Sequence, residues 1–561
     1  MLFPPSDRDQ ALHAAPWLTD AGRQRRKLLR LSTAGLGAAV GLIATGCASD
    51  PRTRGTATES PRADQPVRLA RPATAGRGGR IDDAALLRRI GWGPDRASLA
   101  RIDQLGPGRW LQHQLHPDAP ASVPDAIAPR IDAPPTDQAS LEELIGQLEP
   151  LRQAAGMQSD DEAKARAVKT YQQALAEQAR HAHARFWWTA IHSDQQLGSQ
   201  MTWFWLNHFS VFEGKANLRA MVGDYEARAI RPHALGRFHD LVLATLRHPA
   251  MLRYLDNEQN AANRINENYA RELMELHTLG VDGGYGQRDV QELARVLTGA
   301  GIFRPGAERP RMRPVLERFY QREGLFEFNP NRHDFNDKLL LGAIVPGQGM
   351  DEIEAAVLRL CDHPATARHV SRKLARYFLG DEPGPALLDH LAHSFQAGRG
   401  DIAFVLRELF ETPDFADSLV TGAFKDPARY LMSSLRMAFD QMPIVDMRPV
   451  LAWMQRLGEP LFGRSTPDGY PLDQASWSGA AQMSARFDIA RAIGSGPLGL
   501  FREEGAESDG PRPRFSRLSG PVFQRALEPS LSKATRQALD QANSTQEWNT
   551  LLLASPEMMR C

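Results

Sequence analysis

Cysteine is scarce in this chain: three among 561 residues, at positions 47, 361 and 561. No Cys-x-x-Cys pair and no cysteine–histidine cluster occurs. That excludes a thiolate zinc site and a covalently attached haem. Cys361 and Cys561 are far apart and read as two free thiols; pairing them would require an oxidising compartment. Neither sign of charge prevails, with 67 basic residues against 67 acidic ones. A nucleic-acid surface wants a basic patch, so no nucleic-acid partner is expected. The Gly-x-Ser-x-Gly elbow, His-Glu-x-x-His and the Gly-x-x-x-x-Gly-Lys phosphate loop are all missing. Ser530-Leu531-Ser532-Lys533 has the spacing of a serine–lysine hydrolase motif but lacks its companion motifs. The apolar run from Leu31 to Ala44 falls short of the roughly 20 residues that a membrane-spanning helix needs.

That run is nevertheless informative. Arg25 to Cys47 reads RRKLLRLSTAGLGAAVGLIATGC. A basic start, an apolar middle with no acidic residue and a small-residue exit are the parts of an export signal. A helix of a soluble domain would carry a polar face. Arg25-Arg26-Lys27-Leu28-Leu29-Arg30 resembles the twin-arginine export motif, with leucine where phenylalanine is common. Ala44-Thr45-Gly46-Cys47 resembles a lipoprotein processing box, with Ala44 where leucine is usual. These resemblances imply that residues 1–46 are an export signal peptide handled by the twin-arginine machinery. They also imply that Cys47 becomes a lipidated N-terminus held in a membrane by its acyl chains. Ala48 in place of aspartate points to the outer membrane, so the expected location is periplasmic or outer-membrane. Removal of residues 1–46 leaves 61 basic against 64 acidic residues. Residues 47–80, rich in Arg, Ala, Thr, Pro and Gly, read as a flexible linker.

From Ile81 the pattern becomes helical. IDDAALLRRIGWG, DEAKARAVKTYQQALAEQARHAHARFWWTAIH, DEIEAAVLRLCDHPATARHVSRKLARYFLG and DIAFVLRELFETPDF space their apolar residues three and four apart. Alternating patterns are rare, although RFYQREGLFEFNP suggests a short β-hairpin within 305–345. The expected fold is mainly α: one large multi-helix body over 81–500. Residues 501–520 read as an exposed loop, and the rest of 501–561 as helices that close onto the same domain.

Polar residues concentrate at 254–289, YLDNEQNAANRINENYARELMELHTLGVDGGYGQRDV. Within it, NENYARELMELHTLGVDGGYG resembles the signature of the bacterial domain-of-unknown-function 1800 family. Matching segments follow in order: LLRRIGWGPDRASLARIDQLGPGRWLQHQL, WFWLNHFSVF, RPHALGRFHDLVLATLRHPAMLRYLDN, HDFNDKLLLG, HPATARHVSRKLARYFLGDEP and LGEPLFGRSTPDGYP. The resemblance implies an exported, largely helical bacterial protein and implies no reaction.

The residues themselves must therefore carry any chemistry. On a helix turning about 100° per residue, Glu267, Arg271, Glu275, Asn268 and Glu272 share one polar arc. Tyr269, Leu273 and Leu276 face a core, and His277 falls on the apolar side, away from Glu275. Glu267–Arg271–Glu275 reads as an i,i+4 ion-pair ladder. The alternative is that Asn268 and Glu272, with Asp256 and Asn257, line a polar pocket. His208, beside Asn207 in an aromatic run, and His333-Asp334, after the hairpin, are further candidates. Residues 256–267 have calcium-ligand types at positions 1, 3, 5 and 12 of an EF-hand loop, but Ala261 stands where that loop needs glycine.

Two functions fit. The first is an envelope enzyme with Glu272, His208 and His333 as catalytic groups, and Asp256, Asn268, Glu272 and Asp334 holding a divalent metal. The second is a non-catalytic envelope scaffold or binding protein with unidentified protein partners, in which the polar arc is a brace. The signal itself is testable. Cells making the chain are expected to show a lipid-bearing mature form by metabolic acyl labelling, and Cys47→Ala is expected to lose it.

Overall fold

Helices begin where a short polar side chain can take the first free N–H groups. Asp82 accepts from the Ala84 amide and opens α1 (Asp83–Ile90). Asp160 accepts from Ala163 and opens α2 (Asp161–His192), a helix of 32 residues whose first half is largely solvated and whose last turns are buried. A short turn leads to α3 (Gln196–His208). The computed structural model describes residues 64–73, 81–132, 140–158, 160–502 and 515–561. Arg25, Arg26, Cys47 and residues 503–514 lie outside the described residues.

Two apolar helical runs are cut by proline. In the segment read from sequence as one helical stretch over 351–380, Pro364 separates α6 from α7, once α4 (Asn268–Glu272) and α5 (Gln287–Val296) have been passed. α6 spans Met350–Asp362 and α7 spans Pro364–Leu379. Proline has no N–H and disfavours helix in the residue before it. His363 therefore adopts an extended backbone, and its Nδ1 accepts from the Ala365 amide at 3.2 Å. The same His-Pro-Ala device recurs at 248–250, where His248 Nδ1 accepts from Ala250 at 3.1 Å and Nε2 donates to Asp224 at 2.9 Å. Three later helices complete the frame: α8 (Pro427–Ala438), α9 (Ala480–Gly494) and α10 (Thr545–Leu553). The Asn549 side chain donates to the Gly494 carbonyl at 3.2 Å and ties α10 to the end of α9.

The fold is mainly α, as the periodicity indicates. Its few strands are short. β1 (Ala300–Ile302), β2 (Gln321–Glu323) and β3 (Phe326–Phe328) form one antiparallel sheet in the order β1-β3-β2, with Arg322 opposite Glu327. β2 and β3 are the hairpin expected from RFYQREGLFEFNP. A second hairpin, β4 (Lys338–Leu340) with β5 (Ala343–Val345), turns through Leu341 and Gly342, both at positive φ. Its Leu-Gly turn was available in the sequence as a signal.

The described residues form one compact unit. Part of the stretch read as linker lies against it. Val67 is buried, its amide donates to Gly108 O at 3.1 Å, and Arg68 N donates to Glu411 at 3.0 Å. The apolar pair Val67 and Leu69 distinguishes this stretch from the polar residues around it. The aromatic core is built from both ends of the α2–α3 turn: Trp187 contacts Phe186, Trp203 and Trp92 at centroid separations of 4.9, 5.2 and 5.8 Å. Cys361 and Cys561 are free and buried. Among the described residues no helix is long and apolar enough to cross a membrane.

Buried arginines hold the outer helices to this core by their donors. Arg89 of α1 is fully buried and donates to Ser418 Oγ at 2.8 Å, Ser418 O at 2.9 Å and Cys561 O at 2.7 Å, and also to Phe378 O at the end of α7. Arg89→Leu removes all of these hydrogen bonds, although Ser418 O and Cys561 O keep backbone donors from Gly422 and Ala423. It is expected to destabilise the fold by about 3 kcal/mol or more, read as a lower urea midpoint at unchanged slope.

Candidate functional site

The polar segment that dominates the sequence is in large part a bracing loop. Asn257 donates to Leu297 O and Ala300 O at 3.2 and 2.9 Å. Asn260 donates to Ala294 O at 2.8 Å, Asn266 to Asp256 O at 3.3 Å and Asn268 to Leu255 O at 3.1 Å. Amide side chains here satisfy carbonyls that irregular backbone leaves open. Asp256, at φ 61°, pairs with Lys215 at 2.7 Å. Glu258 pairs with Arg253 and Glu267 with Arg271, so the apparent calcium-loop positions point to separate partners. Arg271–Glu267, at 2.8 Å, is one rung of the expected ladder, with Gln287 bridging both side chains.

The metal set expected from sequence does not assemble. Asp256 serves Lys215, Asn268 serves a backbone carbonyl, and Asp334 pairs with Arg295 at 2.7 Å. Among the described residues no three His, Cys, Asp or Glu side chains are grouped so as to hold a metal ion. His333 and Asp334 form a separate network. His333 Nδ1 donates to Thr298 O at 2.7 Å, and its Nε2 lies 3.1 Å from Glu352. Glu352 also takes Lys338 at 2.5 Å, with all three side chains sealed from solvent. Burial pushes the Asp334 carboxyl up, but hydrogen bonds from Arg295 and Asn336 outweigh it and hold the group at about 2. The expectation that His333-Asp334 joins His208 is corrected accordingly: His333 braces this region against Glu352 of α6, and Asp334 ties it to Arg295 of α5.

What the fold does gather is a group of imidazoles around Lys373. The helix begun by α4 changes at Leu273 into a π-helix, Leu273–His277. The wider π turn adds a residue and changes the facing of the side chains after it, so the even wheel used for the sequence no longer applies. Thr278 Oγ1 donates to Leu273 O at 2.7 Å, and Gly280 N closes on Met274 O at 3.1 Å. Gly280 has φ +81°, and a Cβ there would stand 2.8 Å from His369 Nδ1, so only glycine fits. This ending leaves the Leu276 and His277 carbonyls to side chains. His369 Nε2 of α7 donates to Leu276 O at 3.1 Å, and His208 Nε2 of α3 donates to His277 O at 3.0 Å. A carbonyl only accepts, so both rings carry the proton on Nε2 and have a lone pair on Nδ1. Lys373 Nζ, one turn beyond His369, donates to His208 Nδ1 at 2.8 Å.

His277 completes the group. Its ring is fully buried, 6.0 Å from His208 and 4.9 Å from Phe209, and neither nitrogen has a hydrogen-bond partner. It lies on the apolar side, as the wheel indicated. The aromatics flanking His208 are core as expected, with Trp205 and Phe209 completely buried. Asn207 does different work. Its amide accepts from Tyr470 N at 2.6 Å and donates to Tyr470 O at 3.0 Å, holding the 464–471 loop. Gly469 makes that approach possible: at φ +75°, a Cβ would lie 2.2 Å from Asn207 O. The loop brings Asp468, paired with Arg464 at 3.3 Å, into the electrostatic neighbourhood of Lys373. Tyr254, buried beside the loop, donates to Ser465 O at 3.1 Å. Burial raises its pKa, and the charges of Glu272 and Asp468 raise it further. Of the sequence candidates, then, His208 is at this site, and the Glu272 charge reaches Tyr254 beside the loop. His369 and Lys373 were missed. Their i,i+4 spacing within an amphipathic helix was the available signal.

Burial, reinforced by the Lys373 charge, holds His208 well below the ordinary histidine range, His277 at about 3 and His369 at about 4. Burial brings Lys373 down to about 8, against an opposing pull from Asp468. The native rings are neutral, whereas unfolded histidine takes up a proton below about pH 6.5. Stability from these rings is thus complete above that pH and is lost as pH falls toward 4. His277→Phe keeps the ring volume without the titration. Between pH 7 and pH 5 it is expected to lose about 2 kcal/mol less stability than the unaltered chain, measured by urea unfolding at both pH values.

The segments that meet here are those whose pattern the sequence shares with a known family. No curated protein and no solved structure matches the chain. The family model described as a protein of unknown function, DUF1800, matches residues 85–560. That match spans nearly all of the described body, and the chain belongs to the DUF1800 family.

Proposed function

We propose that this chain is an exported, lipid-anchored protein of the cell envelope whose His208–Lys373 pair performs acid–base chemistry. The twin arginines, the short apolar run and Cys47 support the location. The observation that carries the chemistry is Lys373 Nζ at 2.8 Å from the Nδ1 lone pair of a buried, neutral imidazole. A lysine brought to about 8 exchanges its proton close to neutral pH, and His208 is placed to receive or return it. Glu272, whose charge reaches Tyr254, is a further proton carrier in this reading. The divalent metal drops out, because its expected ligands serve other partners.

A scaffold function is the second reading, and one observation favours it: His208 and His369 each cap an open carbonyl of the π-helix, which is a bracing role. Amine-reactive labelling of the full chain across pH, followed by peptide mapping, separates the two. Eight lysines occur in all, so each is resolved. Acid–base function requires Lys373 to react with an inflection near pH 8, distinct from that of exposed Lys533 mapped in the same digest, and His208→Phe to move that inflection. If Lys373 titrates with Lys533, the acid–base reading falls and the brace remains.

A further inference from the structure

We infer that Lys373 and His277 together bind an oxyanion, a carboxylate or phosphate group of the molecule this site acts on; the assignment rests on the acid–base reading of the same site and names its ligand class. Lys373 carries three N–H donors as an ammonium. One goes to His208, and among the described residues Lys373 makes no ion pair. His277 is fully buried with both nitrogens unpartnered, so its one N–H has no acceptor. Buried donors in native proteins are normally satisfied, and those that are not point to a missing group.

The chemistry of that group follows from what surrounds it. The imidazoles are neutral, and the single formal charge among them is the Lys373 ammonium, which already occupies the one lone pair that His208 could offer a cation. A cation would therefore meet an ammonium and no charged ligand. An anion would meet donors from Lys373 and His277 and provide the counter-charge that Lys373 lacks. Of the carboxylates of the neighbourhood, Asp468 is hydrogen-bonded to Arg464 and Thr466 and acts on Lys373 only through its charge, and the Glu272 charge acts on Tyr254 and Tyr285. Arg464 and Arg372, whose charges reach Tyr254 and His369 respectively, add positive potential at the rim. Binding needs the ammonium, so affinity falls as pH rises through 8.

Calorimetric titration of the purified full chain with inorganic phosphate, and separately with acetate, tests this. Saturable binding of at least one is expected near pH 7. Phosphate binding alone assigns a phosphoryl group, and acetate binding alone a carboxylate. Lys373→Met should weaken the binding tenfold or more, and Lys373→Arg, which keeps the charge, should stay within tenfold of the unaltered chain. His277→Phe should weaken it severalfold and gives the answer if Lys373→Met does not fold. No saturable binding of either anion, or equal binding by Lys373→Met, overturns the site; so does loss in Lys373→Arg with the fold intact. The two readings fail separately. A Lys373 that labels like Lys533 while binding phosphate sinks the acid–base step alone. An inflection near pH 8 without anion binding sinks the oxyanion site alone.

Discussion

Two backbone carbonyls at the end of one short helix organise the centre of this protein. Where the α4 helix widens into a π turn, Leu276 and His277 leave their oxygens without a backbone donor. An open carbonyl in an apolar surrounding is costly. His369 from α7 and His208 from α3 supply the donors. Three chain segments far apart in sequence are thereby fixed to one another within about a hydrogen bond's tolerance. The aromatic residues around His208 then exclude solvent, which is what keeps the rings neutral.

That arrangement has an electrostatic consequence. A histidine that caps a carbonyl through Nε2 must present a lone pair on Nδ1. For His208 the lone pair is turned to Lys373, so the lysine gains a partner that cannot carry a compensating negative charge. Desolvation is then opposed only by the more distant Asp468, and the ammonium becomes easy to deprotonate. The contrast with His333 is instructive. That ring is equally buried, but it faces Glu352, which also holds Lys338. Paired charges make a brace; an unpaired one makes a site.

The polar richness of 254–289 was legible in the sequence, but its use was not. Asn257, Asn260, Asn266 and Asn268 mostly hold backbone, because the irregular chain between the helices needs donors and acceptors. The even 100° step ends at Leu273 for a local reason, a π turn that Thr278 and Gly280, beyond the helix, favour; His277 still lies on the apolar side that the wheel gave it. Asn207 looked like a brace or a site lining. It is a brace with a purpose, since it holds the loop that brings Asp468 near Lys373.

The sequence by itself determined the helical class, the first hairpin, the aromatic core and the family, because periodicity and local turn chemistry act over a few residues. It also carries the features that suggest export. Only the tertiary structure decided which polar residues meet. His208, His277, His369 and Lys373 are separated by up to 165 residues. No local rule relates them: their meeting depends on how α3 and α7 cross the end of the π-helix. The same packing decided that Asp256, Asn268 and Asp334 go to different partners, which a list of ligand-type residues does not reveal.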